Sequence, residues 1–163
     1  MNMQKFTQKS IEALQAAQNE ALSNANQNLT EEHLLYALVS QKEGVIPNLF
    51  AKCGADISRI ISETEKKIAS MPKVTGGGDS LYMDSTLASA LAEAEKEADA
   101  MNDSYVSVEH IILGMMDKPS EFIKKLFRDY GIEREKFCSA LREIRGNVRV
   151  DTDNPEGKYD VLK

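Results

Sequence analysis

Apolar residues recur along this chain at every third or fourth position, the spacing of helices that bury one face. Phe6, Ile11, Leu14, Ala17, Ala21 and Leu22 mark the inner side of a first helix, with Thr7 placed to cap it. Thr30 caps a short second helix carrying Leu34, Leu35 and Leu38. A third helix runs from about Val45 to Cys53 and stops at Gly54, a residue suited to a left-handed cap. Asp56 opens a fourth, whose Ile57, Ile60, Ile61, Thr64 and Ile68 share a face. No convincing alternating run of the kind a strand requires appears.

Residues 71–80, MPKVTGGGDS, break the pattern with a proline and three successive glycines. The programme then starts again. Asp84 caps a helix with Leu87, Leu91, Ala94, Ala98 and Met101 in a stripe, and Ser107 caps the next. A segment from Phe122 to Tyr130 ends at Gly131, and a last helix from about Glu133 to Arg145 turns Phe137, Leu141 and Ile144 inward. Sliding the chain by 77 residues lays 5–64 on 82–141 without a gap. Eleven positions are then identical: Ala13, Leu14, Ala17, Glu20, Ala21, Glu32, His33, Leu49, Phe50, Gly54 and Ser62. TEEHLLYALV at 30–39 thus answers SVEHIILGMM at 107–116, and the caps Thr7, Thr30 and Asp56 answer Asp84, Ser107 and Glu133.

These observations predict an all-α fold: eight helices in two four-helix repeats about a pseudo-twofold axis, each repeat covering the face the other cannot bury alone. Repeat one spans 5–70, the glycine-rich linker 71–80 and repeat two 82–145, within one domain over 1–145. Residues 146–163, GNVRVDTDNPEGKYDVLK, are polar and turn-rich and read as a flexible linker, with KYDVLK resembling the start of a further segment.

A chain of 163 residues can form one ordinary core, and 42% hydrophobic with 28% charged residues is a globular balance. The net charge of −6 and the lack of a clustered basic face argue against nucleic acid as a partner. No apolar run approaches the ~18 residues that span a bilayer, so no membrane partner is expected. Cys53 and Cys138 sit in helical contexts and read as free thiols in a reducing, cytoplasmic setting.

Candidate chemistry changes this picture little. The two histidines and two cysteines lie on different helices without metal-ligand spacing, so no metal site is expected. Each histidine stands third in its helix, where its ring can hydrogen-bond locally. Glu32 and Glu109 fall in first turns, facing free N–H groups and the positive end of the helix dipole. GGGD at 76–79 lacks the lysine and hydroxyl residue of a phosphate-binding loop, and no nucleophile motif appears, so the segment reads as non-catalytic and without a cofactor. What remains is surface. Ala88, Ala90, Ala92 and Ala94 would let neighbours approach, and the seam between repeats could hold an apolar groove for an extended peptide.

The doubled motif TEEHLLYALV and YVSVEHIILGMM, with the opening FTQKSIEALQAAQNEAL, resembles the paired repeats of the Clp amino-terminal domain over residues 3 to about 145. The second repeat and IRGNVRVDTDNPEGKYDVLK are similar to the ClpB-type branch, the AAA+ protein disaggregases. The resemblance implies a mobile, non-catalytic domain that engages hydrophobic stretches of unfolded or aggregated clients and aids their delivery to the AAA+ ring. ATP and Mg would belong only to modules outside these residues. The isolated domain is expected as a monomer and the parent as a hexamer. An alternative within the fold is an adaptor-docking domain of a degradative ClpC- or ClpA-type ATPase. The resemblance implies client-binding roles for Thr7, Leu91, Asp103, Glu109 and His110. Glu93 and His110 depart from the family pattern, where leucines can occur.

Overall fold

In the computed structural model, residues 3–75, 81–146, 148–156 and 159 are described. They form eight α-helices: α1 Gln8–Ser23, α2 Glu31–Ser40, α3 Val45–Lys52, α4 Ile57–Ser70, α5 Ser85–Ala100, α6 Val108–Asp117, α7 Glu121–Tyr130 and α8 Arg134–Arg145. The anticipated stops are made. Gly54 and Gly131, twins at the 77-residue offset, close α3 and α7 at φ 88° and 71°, a region that disfavours side chains. Thr7 accepts from the Ser10 N–H, Asp56 from Arg59 and Asp84 from Thr86, so these caps satisfy otherwise free helix-start donors. Glu133, expected to match Asp56, makes no side-chain cap bond. Pro47 lies in the first turn of α3, where its missing N–H costs no helix bond.

α1 packs on α2 and α5 on α6, and across the halves α3 meets α6 and α8 while α2 meets α7. Phe50 and Phe127, twins in the sequence, touch edge to face with centroids 5.8 Å apart. Equivalent residues that meet each other must lie beside the symmetry axis. Phe137 joins this pair with its centroid 6.2 Å from that of Phe50, and all three rings are buried. Leu22 was expected inward but is 44% exposed, while its twin is Asp99. The position is exposed in both repeats.

Alternation did not reveal the short strands. β1 Asn28–Leu29 pairs in parallel with β2 Tyr82–Met83, and Phe6 bridges Val106, also in parallel. These are one interaction written twice, because Leu29 and Met83 become Val106 and Phe6 when each is moved by 77 residues. The Asp84 N–H donates to Leu29 O at 2.9 Å, and the Thr7 N–H donates to Val106 O at 3.0 Å. Each repeat therefore lends its entry segment to the loop of the other. Two-residue strands are too short for a period-2 signal.

The alanine stripe of α5 does not open a groove. A Cβ built on Gly114 of α6 would lie 2.2 Å from Ala90 O and 3.0 Å from Ala94 N, so the two backbones are in direct contact there. Ala88 and Ala92 face solvent instead. Of the glycine-rich segment, residues 76–80 lie outside the described residues, as do 147, 157–158 and 160–163. The part of the tail that is described departs from the flexible linker that its composition suggested. Val150, Pro155, Glu156 and Tyr159 are buried against repeat two and the start of α1.

Candidate functional site

Four of the five residues singled out above meet in one place. Asp103, in the loop before α6, is the hub. His110 Nε2 donates to its Oδ2 at 2.8 Å, and Arg145 of α8 grips both oxygens at 3.0 and 2.7 Å. The Val150 N–H adds a bond of 3.1 Å to Oδ1. Burial alone would raise this carboxyl, but the bonds from His110, Arg145 and the Val150 N–H outweigh it and hold Asp103 well below the usual carboxylate range.

His110 Nδ1 accepts the Ser107 N–H at 2.9 Å, which fixes the tautomer and leaves Nε2 as the donor to Asp103. Neither ring nitrogen is free to take a proton from a substrate, so the Asp–His pair is not arranged as a general base. The expected local bonding of the ring is found.

Glu109 does not brace its own helix start. Its Oε2 accepts the Tyr159 hydroxyl at 2.6 Å and lies 3.7 Å from Arg145 Nη1, while Oε1 has no hydrogen-bond partner among the described residues. The Arg145 guanidinium sits 5.9 Å over the Tyr159 ring. Thr7 Oγ1 donates to Glu156 Oε2 at 2.7 Å, and the Val108 N–H approaches the same oxygen at 3.4 Å. Burial, with the charge of Glu109 adding to it, pushes Glu156 up to about 7. Thr7, Glu109 and His110 have no exposed surface, and Asp103 very little. Leu91 is buried too, but inside the α5–α6 contact rather than in this cluster. None of the five offers an open client-facing surface in this conformation.

Arg145, Glu156 and Tyr159 complete the cluster, and reading the chain linearly missed them. A signal was present for Arg145. At the 77-residue offset Asp103 stands on Asn26 and Arg145 on Ile68, so an acid and a base both replace uncharged residues. In repeat one His33 Nδ1 accepts the Thr30 N–H at 3.0 Å and Nε2 meets Asn26 Oδ1 at 2.9 Å, with no cation nearby in the bonding pattern. Burial lowers His33 to about 4.

The first-turn acids of α2 also serve another helix than their own. The Ser120 N–H donates to Glu31 Oε1 at 3.1 Å and Ser120 Oγ to Glu32 Oε2 at 2.8 Å, at the start of α7. Burial raises Glu31 to about 8. Among the described residues, no three His, Cys, Asp or Glu side chains gather as metal ligands, and no helix is long and apolar enough to cross a membrane.

Comparison with known proteins agrees with this picture. The Clp repeat (R) N-terminal domain family matches residues 5–130. Chaperone protein ClpB of Clostridium tetani is 37% identical over 165 residues, covering 99% of this chain and 19% of that protein. ClpB of Bdellovibrio bacteriovorus is 37% identical over 157 residues, covering 96% of this chain and 18% of its own length. The chain thus spans about a fifth of these relatives. Among solved structures, the Hsp104 N-terminal domain of Candida albicans superposes with a TM-score of 0.81 at 22% identity, over 93% of this chain and 99% of that one. A complex of the ClpV N-domain with a VipB peptide superposes at 0.72 and 18% identity, over 94% and 91%. At those identities the likeness is one of fold.

Proposed function

This chain belongs to the Clp repeat (R) N-terminal domain family, with ClpB chaperones among its relatives, and from that premise we propose that it is a non-catalytic, client-binding module. Its clients would be hydrophobic stretches of unfolded or aggregated protein, handed on to the AAA+ ring of a disaggregase in the cytoplasm. The observation that carries this reading is the cluster in repeat two. Thr7, Asp103 and Glu109, distant in sequence, converge where the stretch 148–156 is already seated through backbone and side-chain bonds. A cleft that recognises main chain can serve many sequences. The fold neighbour with a bound VipB peptide supports peptide binding as something this architecture can do.

The test is binding of a labelled, permanently unfolded polypeptide to the whole chain, followed by fluorescence anisotropy. Wild type is expected to bind, and a Thr7→Ala/Asp103→Asn pair, shown by circular dichroism to be folded, to bind several-fold more weakly. Equal binding by the folded pair would reduce these residues to structural roles. Preference for a folded adaptor over the unfolded chain would favour the docking role of degradative Clp ATPases instead.

A further inference from the structure

All the polar residues of the proposed site are covered by the same piece of chain. Ser104 and Tyr105 each donate an N–H to Val150 O, at 2.7 and 3.1 Å, and the Gln8 N–H donates to Asp153 O at 2.7 Å. With the Val150 N–H on Asp103, the Val150 backbone is held at both its N–H and its carbonyl. Its side chains then fill defined places. Val150 is fully buried, the Glu156 carboxylate takes the Thr7 hydroxyl and the Val108 N–H, and the Tyr159 hydroxyl reaches Glu109.

The same edge is used in repeat one, where the Val74 N–H donates to Ala25 O at 2.9 Å and Asn26 Nδ2 to Pro72 O at 3.2 Å. The loop between the first two helices of each repeat is therefore built to receive chain. The fit in repeat two is incomplete. Among the described residues Glu109 Oε1 and Glu156 Oε1, both buried, have no hydrogen-bond partner, and the two acids are held close to each other.

We propose that residues 148–156 and Tyr159 act as an internal occupant of the client cleft, displaced by an external segment that offers a small β-branched side chain, a hydrogen-bond acceptor six residues on and an aromatic hydroxyl three residues beyond that. An amide in place of the Glu156 carboxylate still accepts from Thr7 and adds no second charge beside Glu109, so a segment with glutamine there competes better than the chain's own sequence. The inference rests on the client-binding reading above and specifies where and how that binding happens.

Gln8 and Asp153 are joined by a backbone bond and by a side-chain bond of 3.2 Å, so a Gln8→Cys/Asp153→Cys pair should lock the segment when oxidised. Peptide mass mapping establishes that this pair, rather than Cys53 or Cys138, is linked. Two probes are used: the labelled unfolded polypeptide, and a synthetic peptide of residues 148–160 carrying the Glu156→Gln change. The reduced form should bind both and the oxidised form at least about tenfold more weakly, with recovery on adding reductant. Val150→Ser and Tyr159→Ala, which loosen the segment without touching the cleft wall, should tighten binding, by about tenfold if the cleft is free a tenth of the time. Equal binding by locked and reduced forms would overturn the inference while leaving a client site elsewhere on the domain. No binding to any form, loosened variants included, would overturn the client reading itself.

Discussion

The two repeats pose the same local problem and answer it differently. In each, a histidine at the third helical position accepts the N–H of its cap residue and points its other nitrogen at a side chain seven residues earlier. Repeat one supplies the Asn26 amide there, leaves His33 neutral and has Ile68 where repeat two has Arg145. Repeat two supplies Asp103, which requires Arg145, and Arg145 then brings Tyr159 and Glu109 within reach. A neutral closure is self-contained. A charged closure must recruit partners, and here it recruits the segment that follows α8.

The difference is sharpened most by removing the cation. Arg145→Ile should cost about 3–5 kcal/mol, because Asp103 is left buried and charged without its counter-ion. Adding Asp103→Asn rebuilds the repeat-one arrangement and should recover most of that loss in urea unfolding. A double variant no more stable than Arg145→Ile would show that the halves are not interchangeable.

Helix packing offers the next contrast. Gly114 has Ala37 as its twin, so α5 and α6 touch where α1 and α2 tolerate a methyl. Gly114→Ala should destabilise by about 1–3 kcal/mol through overpacking, and Ala37→Gly by about 1 kcal/mol through helix propensity and a lost buried methyl. Thermal melts of the pair measure this directly.

Smaller in size is the pH effect of Glu31, a residue repeat two lacks, since Val108 stands at its twin position. Glu31 is raised by burial, and Glu32 and Asp84 add to this while the Ser120 N–H opposes it. Its folded value near 8 exceeds the unfolded value of 4.5, so its contribution is complete below pH 4.5 and lost as pH rises towards 8. Between pH 6.5 and 8, wild type should lose on the order of 1 kcal/mol relative to Glu31→Gln, the His33 contribution being common to both proteins. Urea midpoints at the two pH values check this. Glu156, facing Glu109, Thr7 and the Val108 N–H, contributes in the same direction and remains in both proteins. The smallest effect belongs to Tyr159→Phe, at about 1 kcal/mol or less. It should show as faster amide exchange at Ser104, Tyr105 and Val150 without a change in the global melt.

The helices, most of their caps and the duplication were legible because each is written in local spacing or repeated text. The parallel bridges were not, since two residues cannot display a strand period. The buried tail was missed for a different reason. Its composition is that of a linker, and its docking depends on a few side chains, Val150, Glu156 and Tyr159 among them, whose partners lie far away. Glu32 and Glu109 read as braces of their own helices because first-turn acids usually are. Tertiary context sends Glu32 to α7 and Glu109 to the tail. Of the five candidate residues, Thr7, Asp103, Glu109 and His110 lie together, and all five are interior rather than surface.

The exchanged bridges have a consequence for how this protein comes off the ribosome. Phe6 pairs with Val106, so residue 6 finds its partner only after the first helix of the second repeat has been made. Until then Phe6 is an unpaired apolar residue beside an unpaired backbone edge, in a nascent chain whose first four helices can already form. Contacts of such sequence separation are closed late and slowly. A module proposed to capture exposed apolar segments thus displays one itself during synthesis.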